Sequence, residues 1–208
     1  IMKKFHICTW EFRNNSGMVE FGMEIDKGSI EVNDRINIAL YIPWLDSTAV
    51  YTDFYDKLKL TVNSKFIFND SVVSTSSFDG GLQKTGVIHK LKTKGNLCIL
   101  PVGLTRNGKC INIEIETKDA QIHESSGNLY VRFAVTPKKN TLTLRKGGFT
   151  KSTVIYDIKL NEKRNLPDSI KPIHACKVES CFCFNIIPNN HSIEFLDSTV
   201  LKNVRTLE

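Results

Sequence analysis

The segment HACKVESCFCF, residues 174–184, concentrates metal-binding side chains at His174, Cys176, Cys181 and Cys183. Imidazole nitrogen and thiolate sulfur are ligands that structural zinc takes in a tetrahedral arrangement. If residues 177–180 form a turn, His174 and Cys176 face Cys183 and Cys181 across a hairpin, with all four side chains on one side. A structural zinc site is therefore one interpretation of this segment, although it is not the preferred one.

Two features favour buried free thiols over zinc. Structural zinc sites usually take Cys-x₂-Cys pairs that are well separated in sequence, and this segment does not. Phe182, Phe184 and Ile186 make the strand apolar on both faces, and cysteine is among the most buried residue types. A cross-strand or redox disulfide ranks below zinc, and no cofactor is favoured.

A lysine row lies in VIHKLKTKG, where Lys90, Lys92 and Lys94 occupy every second position. On a strand this spacing puts all three ammonium groups on one face, opposite His89 and Leu91. Such a row is usually a solvated face or a charged edge that prevents sheet-to-sheet association. It also suits an anionic ligand, although the aromatic residues that single-stranded nucleic acid needs are missing from that face. The three lysines are therefore candidate anion-binding residues.

A second basic group surrounds the paired glycines of LRKGGFTKST, residues 144–153. The segment lacks the G-x-x-x-x-G-K-[ST] pattern of a nucleotide-binding loop, and its flanks are both strand-like, so it predicts a hairpin turn. Arg145, Lys146 and Lys151 are candidate anion-binding residues there, because cations and exposed turn amides together can hold an anion.

No recognised catalytic motif occurs in the sequence, which lacks a Gly-x-Ser-x-Gly elbow, a His-Glu-x-x-His helix and a dinucleotide-binding fingerprint. The carboxylate pair Glu114 and Glu116 falls on the polar side of an alternating strand, and a solvent-facing role explains it. The sequence favours a non-catalytic protein and leaves its enzyme status undecided, since active sites assembled from distant strands leave no local motif.

These candidates sit in a chain dominated by period-two alternation, the pattern of half-buried strands. In CINIEIET, residues 110–117, three isoleucines alternate with polar residues, and Asn107-Gly108 just before it predicts a tight hairpin turn. A less regular alternation at Lys65 to Phe68 predicts a further strand. Similar segments recur along the chain with short turn-forming connections. We therefore predict a mainly β protein, an antiparallel β-sandwich or open barrel.

One segment departs from this pattern. In STAVYTDFYDKLKL, residues 47–60, Val50, Phe54 and Leu58 are spaced four apart, with charged residues largely opposite. This spacing predicts one short amphipathic helix near residues 47–60, beginning after a cap at Asp46 or Ser47. We interpret it as a helix that closes one end of the sandwich, because its apolar stripe is short and its polar face is of mixed charge.

The bulk composition is that of an ordinary folded protein: of 208 residues, 41% are hydrophobic and 24% charged, and the net charge is +6. We predict a main β domain at residues 1–165 and C-terminal strands at residues 166–208 packed on the same domain. No run of about 18 apolar residues is present, so we predict no membrane span. The basic excess is spread along the chain without a sequence-specific nucleic-acid motif.

The six cysteines are too few and too unevenly placed for a disulfide scaffold, so we expect reduced thiols and a cytoplasmic protein. The initial Ile-Met and the final Leu-Glu are typical of cloning residues. We therefore expect the soluble part of a larger or membrane-anchored protein.

These observations favour a binding function. The preferred prediction is a sensor or recognition domain for an anionic partner, either a small molecule such as a nucleotide or an acidic protein surface. One alternative is a structural or host-interaction protein that works through flat protein–protein contacts. The other is a hydrolase or transferase on a β scaffold. The sequence does not fix the oligomeric state.

Overall fold

The computed structural model describes residues 1–12, 17–30, 35–68, 70–77, 86–118, 120, 127–138, 143–147, 152–168, 170–171 and 174–188, with the backbone alone at 64–66, 143–147, 152–154 and 156. Its strands are β1 (Met2–Glu11), β2 (Gly17–Ile25), β3 (Arg35–Tyr41), β4 (Val50–Asp53), β5 (Val72–Ser77), β6 (Val87–Leu91), β7 (Gly95–Ile99), β8 (Gly103–Asn107), β9 (Cys110–Glu116), β10 (Asn128–Thr136), β11 (Thr143–Gly147), β12 (Ser152–Tyr156) and β13 (Val178–Ile186). Its helices are α1 (Tyr55–Leu58) and α2 (Thr61–Phe68). The prediction of a mainly β protein is confirmed.

The strands form a larger and a smaller sheet. The larger has eight strands in the order β13-β1-β2-β10-β7-β6-β5, with β4 also paired to β10, and the smaller has the order β3-β9-β8. Strands β11 and β12 form a separate antiparallel pair. The larger sheet is mixed rather than purely antiparallel, because β13 runs parallel to β1 and β7 runs parallel to β10. These parallel partners are distant in sequence, so no hairpin turn sets their direction.

The main core lies between the two sheets. Strand β9 buries Ile111, Ile113 and Ile115 completely, whereas Glu114 and Glu116 are exposed and pair with Arg35 of β3. The larger sheet contributes aromatic and aliphatic side chains from its central strands: Phe21 and Met23 of β2, and Val131, Phe133 and Val135 of β10. Fully burying one such side chain contributes about 1.5–3 kcal/mol. The alternation that is visible in the sequence is thus the inward and outward face of each strand.

The hairpin between β8 and β9 forms where the sequence predicts it. Gly108 has the positive φ of +61° that the turn requires, while Asn107 is the last residue of β8 and pairs with Cys110. Glycine carries no steric penalty in this conformation.

Helices α1 and α2 cover the opposite face of the larger sheet, where Phe54, Leu58 and Phe68 pack against Tyr130 and other buried residues. Within residues 47–60 the helix is shorter than expected, since Val50–Asp53 forms β4 along β10. The Asp53 carboxylate accepts a hydrogen bond from the backbone N–H of Tyr55, 3.0 Å away, so the helical turn starts after the strand. The strand predicted at Lys65 to Phe68 is wrong, because these residues belong to α2.

Buried His89 ties α1 to β6. Its Nδ1 lies 2.8 Å from the Thr75 hydroxyl and its Nε2 lies 2.8 Å from the carbonyl oxygen of Leu58, the last residue of α1. Since a carbonyl only accepts, Nε2 carries the proton and Nδ1 accepts from Thr75. None of the helices in the described ranges is long and apolar enough to cross a membrane.

Strand β13 pairs with β1 at one edge of the larger sheet, so part of the segment after residue 166 joins the same sheet as the N-terminal strand. The division into residues 1–165 and 166–208 stays a prediction. Predicted strand residues beyond 188 lie outside the described residues.

Candidate functional site

The cysteine-rich segment does not form the expected hairpin. Residues Val178–Ile186 are one continuous strand, so the turn predicted at 177–180 is absent, and His174 and Cys176 precede the strand. The prediction of buried thiols is wrong, because Cys176, Cys181 and Cys183 are all exposed. The reason is that β13 takes its hydrogen bonds from β1 at the sheet edge rather than from a local partner. Within the described ranges, no group of three or more His, Cys, Asp or Glu side chains could hold a metal ion.

The three lysines of VIHKLKTKG do not share one strand face. Lys90 is exposed on β6, on the face opposite His89, whereas Lys92 and Lys94 lie in the turn between β6 and β7. Asp70 organises this turn: its carboxylate accepts hydrogen bonds from the Thr93 hydroxyl at 2.7 Å and the Thr93 backbone N–H at 3.1 Å. These bonds, the hydroxyl bond first, lower the pKa of Asp70.

The Lys94 side chain turns toward α2. Its Nζ donates to the carbonyl oxygen of Phe68, at 2.5 Å. The second basic group is only partly described: the backbone of Arg145 and Lys146 lies in β11, and Lys151 lies outside the described residues. Lys92 and Lys94 therefore do not continue the strand face of Lys90, and anion binding at residues 144–153 stays a prediction.

The most distinctive polar cluster lies on the helix-covered face of the larger sheet, at positions that no sequence pattern predicted. Strand register places Glu20 of β2 beside Cys8 of β1, and Gly22 between His6 of β1 and Arg132 of β10. These residues alternate with core residues such as Phe21 and Phe133, so they share the opposite face of the sheet. The only local signals for the cluster are charged residues within otherwise apolar strands, two in GMVEFGMEI and one in NLYVRFAVT.

A hydrogen-bonded chain, which we call the polar network, joins Glu20, Arg132, Tyr130 of β10 and His6. The Arg132 guanidinium donates to Glu20 Oε2 through Nη2 and also through Nε, the latter at 2.6 Å. Its Nη1 donates to the Tyr130 hydroxyl at 3.3 Å, and that hydroxyl lies 3.2 Å from His6 Nδ1. The Tyr130 hydroxyl thus accepts from Arg132 and pairs with His6 Nδ1, so it links the guanidinium to the imidazole.

Glycine at position 22 makes room for this chain. A Cβ there would overlap the Tyr130 hydroxyl oxygen and would lie 3.2 Å from Tyr130 Cζ and 3.3 Å from His6 Cβ. The Tyr130 ring cannot move aside easily, because it is fully buried and its centroid lies 4.8 Å from that of Phe68. The absent side chain of Gly22 therefore lets the hydroxyl lie over β2.

Burial and nearby cations set the protonation states around the network. Burial, then the charges of Arg132 and Lys4, lower the pKa of His6 to about 4, so its imidazole is neutral at pH 7. Burial, with the Glu20 charge adding, raises the pKa of the Cys8 thiol to about 12, so it stays protonated. Burial by itself would lower the pKa of Arg132, but Tyr130 and Glu20 outweigh it and the pKa is raised.

A second, less buried ion pair adjoins the network toward the sheet end. Lys4 Nζ lies 2.6 Å from Glu24 Oε2, and Asn128 Nδ2 donates to Glu24 Oε1 at 2.9 Å. Burial raises the pKa of Glu24, but the bonds from Lys4 and Asn128 outweigh it and the net shift is downward.

Aromatic rings of β13 border His6. The His6 centroid lies 5.6 Å from that of Phe182 and 5.9 Å from that of Phe184, both in edge-to-face geometry. Phe184 is 42% exposed, so this side of the site is open among the described residues. The arrangement offers fixed charges, a neutral imidazole N–H and aromatic edges, which together suit the binding of a polar molecule with a flat apolar part.

Comparison with known proteins yields no relative, since no family model, no curated protein and no solved structure matches this chain.

Proposed function

We propose that the protein is a non-catalytic binding domain, acting in sensing or recognition, whose ligand is a small anion such as a nucleotide. The proposed site is the His6 patch, defined as Lys4, His6, Glu24, Lys94, Phe182 and Phe184. It lies on the helix-covered face of the larger sheet and extends from Phe182 and Phe184 on edge strand β13 to Lys94 in the turn between β6 and β7.

The observation that carries this proposal is the convergence of three cations on His6. Burial is the largest cause that lowers the pKa of His6, and the charges of Arg132 and Lys4 lower it further. Glu24 acts in the opposite direction, and Lys94 adds a smaller lowering. Arg132 is neutralised by Glu20, and Lys4 by Glu24. Lys94 has no carboxylate partner in the part of the chain that the structure describes, and its Nζ is held by the Phe68 carbonyl. The patch thus keeps one uncompensated positive charge, which favours an anion.

The aromatic edges favour an anion that carries a ring. A planar ring gains from edge-to-face or offset contacts with phenylalanine, and Phe184 is 42% exposed beside His6. A nucleotide offers both a phosphate for Lys94 and a base for this side of the patch.

Protonation states support binding rather than catalysis. A thiol nucleophile needs a depressed pKa, whereas the pKa of Cys8 is raised to about 12. A general base works best with a pKa near the working pH, and the pKa of His6 is lowered to about 4. A hydrolase or transferase therefore gains no support from these residues.

A thermal-shift screen of nucleotides, inorganic phosphate and carboxylates tests the proposal. A ligand at 100 times its Kd stabilises the fold by about 2.7 kcal/mol, which raises the melting temperature of a chain of this size by roughly 5–11 °C. Lys94→Met should abolish the shift. Lys90→Met is the matched control and should keep it, because Lys90 lies on the opposite face of the sheet.

An anion that stabilises both variants equally would refute the His6 patch as its site. If no anion shifts the melting temperature, the small-anion proposal is wrong, and the second candidate, a partner protein with an acidic surface, takes its place. One observation favours a protein partner of either kind: Val178 and Phe184 are each 42% exposed on the same face of β13, where apolar contacts can form. A structural or host-interaction role would use the same surface.

As part of this proposal we place the protein in the cytoplasm. The support is that all six cysteines are free thiols, as expected in a reducing compartment.

A further inference from the structure

Cys181 and Cys183 form an exposed pair at the edge of the larger sheet. They are two positions apart on β13, so both side chains project from the face opposite Phe182 and Phe184. Both are exposed, and the two thiols are close enough to interact. In the register with β1 they lie beside Phe5 and Ile7, two residues that pack at the border of the main core.

The strand geometry disfavours a disulfide between these two cysteines. Side chains two residues apart on one face of a strand have Cβ atoms about 6.6 Å apart, whereas a disulfide holds them at about 3.5–4.5 Å. A metal ion between the sulfur atoms spans a longer distance, so the same geometry that opposes oxidation to a disulfide permits a bridged ion.

The number of ligands selects the kind of metal. Zinc in structural sites takes four ligands, and no third His, Cys, Asp or Glu joins the pair within the described ranges. Thiolates select soft ions such as Cu(I), which accepts two ligands in a linear arrangement. We propose that Cys181 and Cys183 form a two-thiolate binding site for Cu(I) or a similarly thiophilic monovalent ion.

Binding at this site is a proton exchange and involves no change of oxidation state. Two S–H bonds break, two S–Cu bonds form, and two protons pass to solvent, which leaves a bis-thiolate Cu(I) complex of net charge −1. Because both thiols must lose a proton when the ion binds, the affinity for Cu(I) should rise as the pH is raised.

Anaerobic competition with a coloured Cu(I) chelator, using the reduced full chain and the Cu(I)–acetonitrile complex as the metal source, tests the proposal. The unmutated protein should withdraw about one equivalent of Cu(I) from the chelator. Cys181→Ser and Cys183→Ser should each weaken this binding at least about tenfold. Cys176→Ser is the matched control, because Cys176 is also exposed but lies outside β13, and it should bind as the unmutated protein does.

Retention of Cu(I) by Cys181→Ser or Cys183→Ser would overturn the proposal. So would an equal loss in Cys176→Ser or His174→Ala, which would indicate a wider ligand set. Alkylation of the unmutated protein gives a readout that does not depend on the folding of any variant. Bound Cu(I) should protect Cys181 and Cys183 from modification while Cys176 still reacts, and modification of all three at equal rates would contradict the two-thiolate site.

Discussion

Replacement of Gly22 by alanine tests the polar network most directly. The added methyl group would overlap the Tyr130 hydroxyl oxygen and approach His6 Cβ to 3.3 Å. Two responses are available to the protein. Either β2 and β10 separate slightly, or the tyrosine ring tilts against Phe68, 4.8 Å away, and loses its bonds to Arg132 and His6.

The cost follows from these two responses. Overpacking a well-packed interior costs about 1–3 kcal/mol, and a lost buried hydrogen bond costs about 1 kcal/mol more. Alanine has less conformational freedom than glycine in the unfolded chain, and this stabilises the folded state by about 0.4–1 kcal/mol. We expect Gly22→Ala to lower the free energy of unfolding by about 2–3 kcal/mol, which lowers the melting temperature by roughly 4–12 °C.

Urea denaturation of Gly22→Ala, Tyr130→Phe and the double variant measures this cost and its cause. Tyr130→Phe removes the overlapping oxygen, so the alanine should cost at least about 1 kcal/mol less in that background. Gly28→Ala is the matched control, because Asp26 Oδ1, at 3.7 Å, is the nearest atom to its added Cβ among the described residues that do not adjoin it in the chain. A stable Gly22→Ala, or an alanine cost that Tyr130→Phe leaves unchanged, would refute the close packing of Tyr130 on β2.

Three further predictions concern charge and thiol chemistry. Since burial lowers the pKa of His6 to about 4 from about 6.5 in the unfolded chain, the unfolded state binds more protons between these values. The stability from neutral His6 is therefore complete above pH 6.5 and lost as the pH falls toward 4. Urea midpoints at pH 7.5 and 5 should differ less for His6→Asn than for the unmutated protein, whereas exposed His174→Asn should change nothing. Glu20→Gln should destabilise the protein by about 3–5 kcal/mol because it leaves the Arg132 charge buried and unpaired, and Glu20→Leu combined with Arg132→Met should recover most of that loss; a mild Glu20→Gln would show that water reaches Arg132. Finally, Ellman's reagent should modify three thiols quickly in the native protein, those of Cys176, Cys181 and Cys183, and the buried Cys8, Cys98 and Cys110 only on unfolding. Fast reaction of Cys8 would contradict its burial under the network.

Most strands of the fold could be predicted from the period-two alternation of apolar and polar residues. Ile111, Ile113 and Ile115 are buried as the pattern requires, and Gly108 takes the positive φ of the predicted turn. These features depend on residues next to one another in the chain. Strand pairing between distant segments does not depend on neighbouring residues, and one alternating strand resembles another. The parallel alignment of β13 with β1 therefore could not be predicted.

The same limit explains the candidate site. Glu20 and Arg132 each interrupt a run of apolar residues in their own strand, and only the register of β2 against β10 brings them together. The hairpin predicted for the cysteine segment was wrong for a related reason. The short spacing of His174, Cys176, Cys181 and Cys183 suggested a local partner strand, whereas β13 pairs with β1 at the other end of the chain. The prediction that the three lysines share one strand face was wrong because β6 ends at Leu91, before Lys92 and Lys94.

The pairing of β1 with β13 also has a consequence for how the chain reaches its native state. Lys3 and Glu179, which are hydrogen-bonded across this pair, are 176 residues apart in sequence. Contacts at such separation form slowly, because the entropy of closing the long loop is lost before they contribute. During synthesis the outer edge of β1 therefore stays unpaired until the ribosome has made β13. The β1–β13 ladder should be the last to form and the first to open, so its amides should exchange with solvent ahead of those between β2 and β10.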